Sequence, residues 1–430
     1  MNKVAKNATW IIVCKIAQSV FALIINMLTA RYLGPSNFGL ITYAASLVAF
    51  VLPLMQLGFS NILVQEFVNN PEREGETLGS AVVLSGFSSL LCIVGVTAFA
   101  AIANPNEPDT IIVCLLYSVI LIFQATDLIQ YWFQAKYLSK YTSIISLAAY
   151  LIVSAYKIFL LITSKSIYWF AVSNAFDYAL ISRGSYFVYR RLRAQRIGFS
   201  LKLGKEMFSR SKHYILSSMM VTIFAQTDKI MIKLMIDEEA TGYYGAAVAC
   251  AGMTSFVFAA IIDSFRPSIF EAKIDSEELF EKRLAMLYSI IIYLSLLQSL
   301  VMTVLAPLFI NILYGDAYSP AVGALQIVVW YTTFAYMGSV RNIWILAFNK
   351  QKYLWIINLM GAGANIILNA ALIPFIGIYG ASVASLITQF FTNVIVGYII
   401  RPITPNNMIM IKGLNPKYLF EAIRKIRPTR

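Results

Sequence analysis

Charge is scarce in this 430-residue chain. Asp, Glu, Lys and Arg together make up 13% of it, about half the roughly 25% of a soluble domain. There is one histidine, His213, and the four cysteines, Cys14, Cys92, Cys114 and Cys250, form no Cys-x-x-Cys pair. That argues against a zinc or redox site, and the thiols read as inert and buried. A Walker loop and a nucleophile elbow are also missing. The glycine spacing of "GAGAN" at 361–365 lies in an apolar run, where small residues let helices pack closely. No enzyme activity and no cofactor are expected. With no ATP site, any transport is passive or coupled to an ion gradient.

What is abundant is apolar sequence. Hydrophobic residues are 59% of the chain and mean hydropathy is +0.70. A membrane-crossing helix needs about 20 apolar residues. Twelve runs qualify, at 8–31, 40–62, 79–103, 110–134, 142–163, 167–189, 212–236, 242–264, 285–312, 320–348, 353–373 and 379–400. They are continuous, which excludes the period-two pattern of a barrel. The first run follows Lys3 and Lys6 but is too long for a signal peptide's core, and it is read as a span. The fold expected is an all-α polytopic membrane protein.

The net charge of +13 raises the question of nucleic acid. Its distribution answers it. With the N-terminus inside, nearly all the basic loop residues fall on the inner side, down to Arg427 and Arg430 in the tail. Only Arg31 and Lys165 fall in outer loops. This is the positive-inside pattern. It places both termini in the cytoplasm, and it assigns the basic charge to topology and anionic lipid headgroups rather than nucleic acid.

The longest basic loop, 189–212, splits the spans six and six. The expected domains are an N-terminal lobe 1–189, a linker 190–211, a C-terminal lobe 212–401 and a basic tail 402–430. "RYLGPSNFGLITYAAS" after the first span is echoed by "DEEATGYYGAAVACAG" after the seventh. Six spans per half give parallel repeats, with a cleft between lobes as the natural substrate site.

Ionisable residues inside spans are the functional candidates. They are Lys15, Asp127, Lys157, Asp177, Arg183, Asp228, Lys229, Lys233, Asp263 and Arg341. Arg183 and Asp263 lie near inner ends, and Lys233 is near enough to an outer end to snorkel. Cations outnumber anions in the set. Interhelix ion pairs would account for part of it, and a water-filled cavity that meets an anionic substrate would account for the excess.

Five segments carry a family resemblance: "ARYLGPSNFGLITYA", "QTDKIMI", "TGYYGAA", "LYGDAYSPAVGALQI" and "NIILNAALIPFIGIYGASVASLI". Together they resemble the Wzx-type O-antigen and polysaccharide flippases of the multidrug/oligosaccharidyl-lipid/polysaccharide exporter superfamily. The resemblance implies two six-helix lobes around a central cavity, a MATE-like fold. It implies flipping of undecaprenyl-diphosphate-linked repeat units across the bacterial cytoplasmic membrane. Lys15, Arg31, Lys229, Lys233 and Arg341 would hold the diphosphate, since Lys and Arg are the usual phosphate partners. Asp228 would couple an ion, with Asp127 and Asp177 as further candidates. The lipid-linked oligosaccharide is the implied substrate, and a polymerase and glycosyltransferases of the same pathway are the implied partners. O-antigen, capsule and teichoic-type polymers all stay open. Two other readings stand beside this one: an ion-coupled multidrug antiporter of the same fold, and a non-transporting membrane scaffold.

Overall fold

A computed structural model describes residues 3–426; the tail residues Arg427 and Arg430 lie outside them. Among the described residues all regular structure is helical. In chain order the helices are α1 (Lys3–Met55), α2 (Leu63–Asn69), α3 (Glu74–Ala103), α4 (Pro108–Ser118), α5 (Ile120–Thr126), α6 (Gln130–Ala135), α7 (Ser139–Ile162), α8 (Ile167–Arg191) and α9 (Leu201–Met235). Then come α10 (Glu238–Gly252), α11 (Ser255–Asp275), α12 (Glu277–Val304), α13 (Ala306–Tyr314), α14 (Ala321–Ala347), α15 (Leu354–Phe390), α16 (Val396–Ile399), α17 (Thr404–Gly413) and α18 (Pro416–Ile426).

Among the described residues, nine helical stretches are long and apolar enough to cross a membrane. Two of them hold a break. Gly34 in α1 takes φ 71° and Gly377 in α15 takes φ 59°, so each of these stretches is two crossings. Glycine reaches positive φ without a Cβ penalty, and Pro35 restarts the helix at the position where a missing N–H costs nothing. The remaining crossing is α8, whose Asn174, Asp177 and Arg183 lower its hydropathy. The twelve crossings expected from the sequence are thus accounted for, and the chain is a multi-pass membrane protein. Outward faces carry large apolar side chains, such as Phe87 and Val94 on α3, as lipid contact requires.

Packing divides the chain into two compact units, 1–242 and 243–430. The six-and-six division read from the sequence counts helices per half; packing groups α9 with α1–α8. The first unit's core includes Tyr43, Leu47 and Cys114 around α1 and α4. A second cluster sets Phe59 and Phe67 against Trp132, Phe133 and Tyr189. The basic segment after α8 is fastened down: Gly198 N donates to Gly75 O at 3.1 Å, and Gly75 N donates to Gln195 Oε1 at 3.0 Å. Two carboxylates at the same end take basic partners, Glu66 from Arg210 at 2.5 Å and Glu74 from Lys136.

The second unit packs α12, α14 and α15 around Tyr288, Ile291, Val340 and Trp344, with Phe258 stacked on Tyr336 at 4.0 Å. Past α15 the chain widens into a π-helical turn, Phe391–Ile395.

Two glycines set how closely the first turn of α10 can approach α1. A Cβ on Gly39 would collide with the Glu238 carbonyl, and one on Gly242 with the Pro35 carbonyl. Backbone cannot move aside as a side chain does. Gly39→Ala should therefore cost about 1–3 kcal/mol, as overpacking does. Gly86→Ala, with nothing within 4 Å, should be neutral or gain up to about 1 kcal/mol of helix propensity. Thermal unfolding of the two variants in one detergent checks this; equal midpoints would contradict it.

Candidate functional site

Two polar cavities lie within the first unit. One, of about 250 Å³, is lined almost entirely by polar side chains. Lys15 and Gln18 come from α1, and Asp127, Gln130 and Gln134 from the turn before α6 and from α6 itself. Ser139, Thr142, Ser143 and Ser146 come from α7. The spacings explain the convergence. Ser139, Thr142, Ser143 and Ser146 are an i, i+3, i+4, i+7 set, so they share one helical face, and Lys15 and Gln18 share another. Gln130 Nε2 donates to Asp127 Oδ2 at 2.7 Å. Thr142 and Ser143 each donate their hydroxyl to the Ser139 carbonyl, at 2.9 and 3.0 Å. Their lone pairs stay available as acceptors.

The second cavity, of about 230 Å³, has Gln124, Asn174, Asp177 and Tyr178 among its lining residues. Lys157 Nζ donates to Asn174 Oδ1 at 2.8 Å. Asp177 lies within electrostatic range of Lys157, and Asp127 within range of Asp177. Three of the predicted intramembrane charges, Lys15, Asp127 and Asp177, thus border neighbouring cavities of one unit.

On α9 the predicted residues separate. Asp228 is buried, and Lys229 is half-buried beside it; Lys229 donates to the neutral Gln226 Oε1 at 3.1 Å. Lys233 is different. Its side chain is 2% exposed and its Nζ bonds Glu107 Oε2 at 2.6 Å and Glu238 Oε2 at 2.9 Å. Ser36 Oγ donates to the other oxygen of Glu238 at 3.2 Å. Lys233, expected to receive phosphate, closes a three-residue ion cluster that ties α9 to the α3–α4 loop. Arg31, expected with it, is exposed at the end of α1's first segment.

Arg341 also differs from its expected role. It is 6% exposed, inside the second unit, and donates Nη1 to the Thr392 carbonyl at 2.7 Å. A π turn shifts the backbone ladder and frees carbonyls inside the protein. Arg341 answers one, and Asn407 Nδ2 answers another, the Val394 carbonyl, at 2.7 Å. Arg341 is thus bonded to the protein through Nη1, while its buried Nε has no hydrogen-bond partner among the described residues.

Reading charges alone missed the amides and hydroxyls: Gln18, Gln124, Gln130, Gln134 and Asn174. The i, i+3, i+4, i+7 run in "SKYTSIIS" (139–146) was the available signal. Among the described residues no cluster of three metal-ligating side chains occurs.

Residues 4–273 match the family described as polysaccharide biosynthesis protein. None of the curated proteins matches the sequence. Among solved structures, the lipid II flippase MurJ in an inward closed conformation superposes with a TM-score of 0.71 at 14% identity, covering 97% of this chain and 93% of that one. An inward-facing multidrug resistance MATE family transporter of the MOP superfamily gives 0.65 at 13% identity, covering 92% and 96%. The Vibrio cholerae MATE transporter VcmN gives 0.59 at 12%, covering 96% and 100%. The fold is MATE-like, as the resemblance implied, and the chain belongs to the polysaccharide biosynthesis protein family.

Because Lys233 is buried against carboxylates 44% and 32% exposed, its pairing lies between the buried and the surface case. Lys233→Met should lower stability by about 1–3 kcal/mol, read as thermal unfolding in detergent. An unchanged midpoint together with lost transport would return Lys233 to the ligand-binding set.

Proposed function

We propose that the protein is a flippase. It carries prenyl-diphosphate-linked sugar units, of the undecaprenyl class, across the bacterial cytoplasmic membrane by alternating access. Both termini face the cytoplasm, as the placement of basic loops indicates. Family membership supports the pathway, and the fold shared with MurJ, a flippase of lipid II, supports the reaction class.

The observation that carries the reading is the cavity holding Lys15. A diphosphate that leaves water needs charge-assisted donors in its place. Lys15 borders an open polar space, and Lys229 has a neutral hydrogen-bond partner with Asp228 within electrostatic range; among the described residues neither makes the two direct ion pairs that Lys233 makes. Lys15, Lys229 and the exposed Arg31 are assigned to the anionic headgroup. Lys233 and Arg341 are assigned to holding the helices that present it.

Asp127, Asp177 and Asp228 are the assigned coupling groups, with Lys157 beside Asp177. Asp127 shares its cavity with Lys15. An ionised Asp127 partly neutralises that cation, and a protonated one leaves it for phosphate. Proton occupancy of Asp127 and headgroup binding therefore favour one another.

Two outcomes test this. In the native host, loss of the protein should stop surface polysaccharide export and leave lipid-linked sugar units in the inner leaflet. Wild type should restore export, and Lys15→Ala and Lys229→Ala at matched membrane levels should restore less than about a tenth of it. Full restoration by both variants would make the cations structural. With purified protein in nanodiscs, Asp127→Asn should bind a short-chain prenyl diphosphate several-fold more tightly than wild type at neutral pH; weaker binding would contradict the charge argument.

A further inference from the structure

We infer that the cavity beside Lys15 reads the sugar attached to the diphosphate, and that Gln134 and Thr142 are its specificity-determining residues. The inference rests on the flippase reading and deepens it.

The argument begins with charge. The cavity holds one cation, Lys15, and one carboxylate, Asp127. A wall built for phosphate alone would carry an excess of cations. The rest of this wall is neutral amides and hydroxyls on three separate segments of chain. A carboxamide offers two N–H donors and a carbonyl acceptor, and a hydroxyl offers both roles. A sugar ring presents the same mixture of donors and acceptors around its rim, so the wall matches a polyhydroxyl ligand in kind.

Occupancy points the same way. Thr142 and Ser143 spend their hydroxyl protons on the Ser139 carbonyl and present lone pairs, while Gln130 is bonded to Asp127. Gln134 is exposed; its carbonyl accepts from Tyr137 N at 3.1 Å, and its side-chain amide is the wall's open donor. Size limits the ligand. The cavity, at about 250 Å³, has room for a sugar ring. Connectivity selects which ring: the reducing-end sugar is bonded directly to the phosphate, so a diphosphate held by Lys15 at the cavity's edge places that ring against the amide wall.

The test uses full-length protein in nanodiscs and two probes: a short-chain prenyl diphosphate, and the same molecule carrying a single N-acetylhexosamine or hexose. Wild type should bind the sugar-bearing probe more tightly. Gln134→Ala and Thr142→Val should erase about tenfold of that preference and leave the sugarless probe unchanged, which also shows the variants are folded. Lys15→Ala should weaken both probes. If the two wall variants leave the preference intact, or weaken both probes equally, the sugar assignment is overturned and the flippase reading stands. If wild type binds neither probe, both are overturned.

Discussion

A polar group inside lipid must be answered by the protein or by water that the protein admits. Most of what is distinctive in this chain follows from that constraint. Polar faces on α1, α6 and α7 meet one another and leave a cavity. Asn174 takes the Lys157 ammonium. In the second unit, the π turn exists beside Arg341 and Asn407 because those two side chains replace donors that the shifted ladder gives up. In each place a polar residue finds at least one partner nearby.

The same rule separates two kinds of buried cation. Lys233 and Arg341 are held by oxygen atoms of the protein and stabilise the helices around them. Lys15 borders open polar space, and Lys229 bonds an amide with Asp228 within electrostatic range. α9 carries both kinds, one turn apart. Its outer end is fixed by Lys233 and by the close approach of α10 to α1 at Gly39 and Gly242. Its other end is fixed by the Arg210–Glu66 pair and by Ser211 Oγ donating to the Leu57 carbonyl at 2.7 Å. Lys229 therefore sits on a helix secured at both ends, which is the condition for presenting a charge in a defined place.

The fold was legible because crossing helices announce themselves by length and hydropathy, and because Gly34–Pro35 marks a turn with a stated backbone reason. The site was legible only in part. Lys15, Asp127 and Asp177 stand out as charges in apolar runs. Gln130, Gln134 and Thr142 do not, since a hydropathy average dilutes a single polar face among apolar ones. The protein partners of Lys233 and Arg341 were hidden for a different reason. Glu107 is 126 residues from Lys233 and Thr392 is 51 from Arg341; no local pattern shows that such a cation already has its partner. The border of the compact units was hidden likewise, because the packing of α9 against α1 depends on contacts distant in sequence rather than on span counting.

The central claim is that this member of the polysaccharide biosynthesis protein family moves an anionic lipid-linked glycan. The most direct measurement is leaflet exchange in proteoliposomes, using a short-chain prenyl-diphosphate oligosaccharide, with a cationic dye in parallel. The account predicts protein-dependent exchange of the glycan lipid and no dye transport under a proton gradient. Dye export without glycan exchange would contradict it and establish a drug antiporter on the same fold.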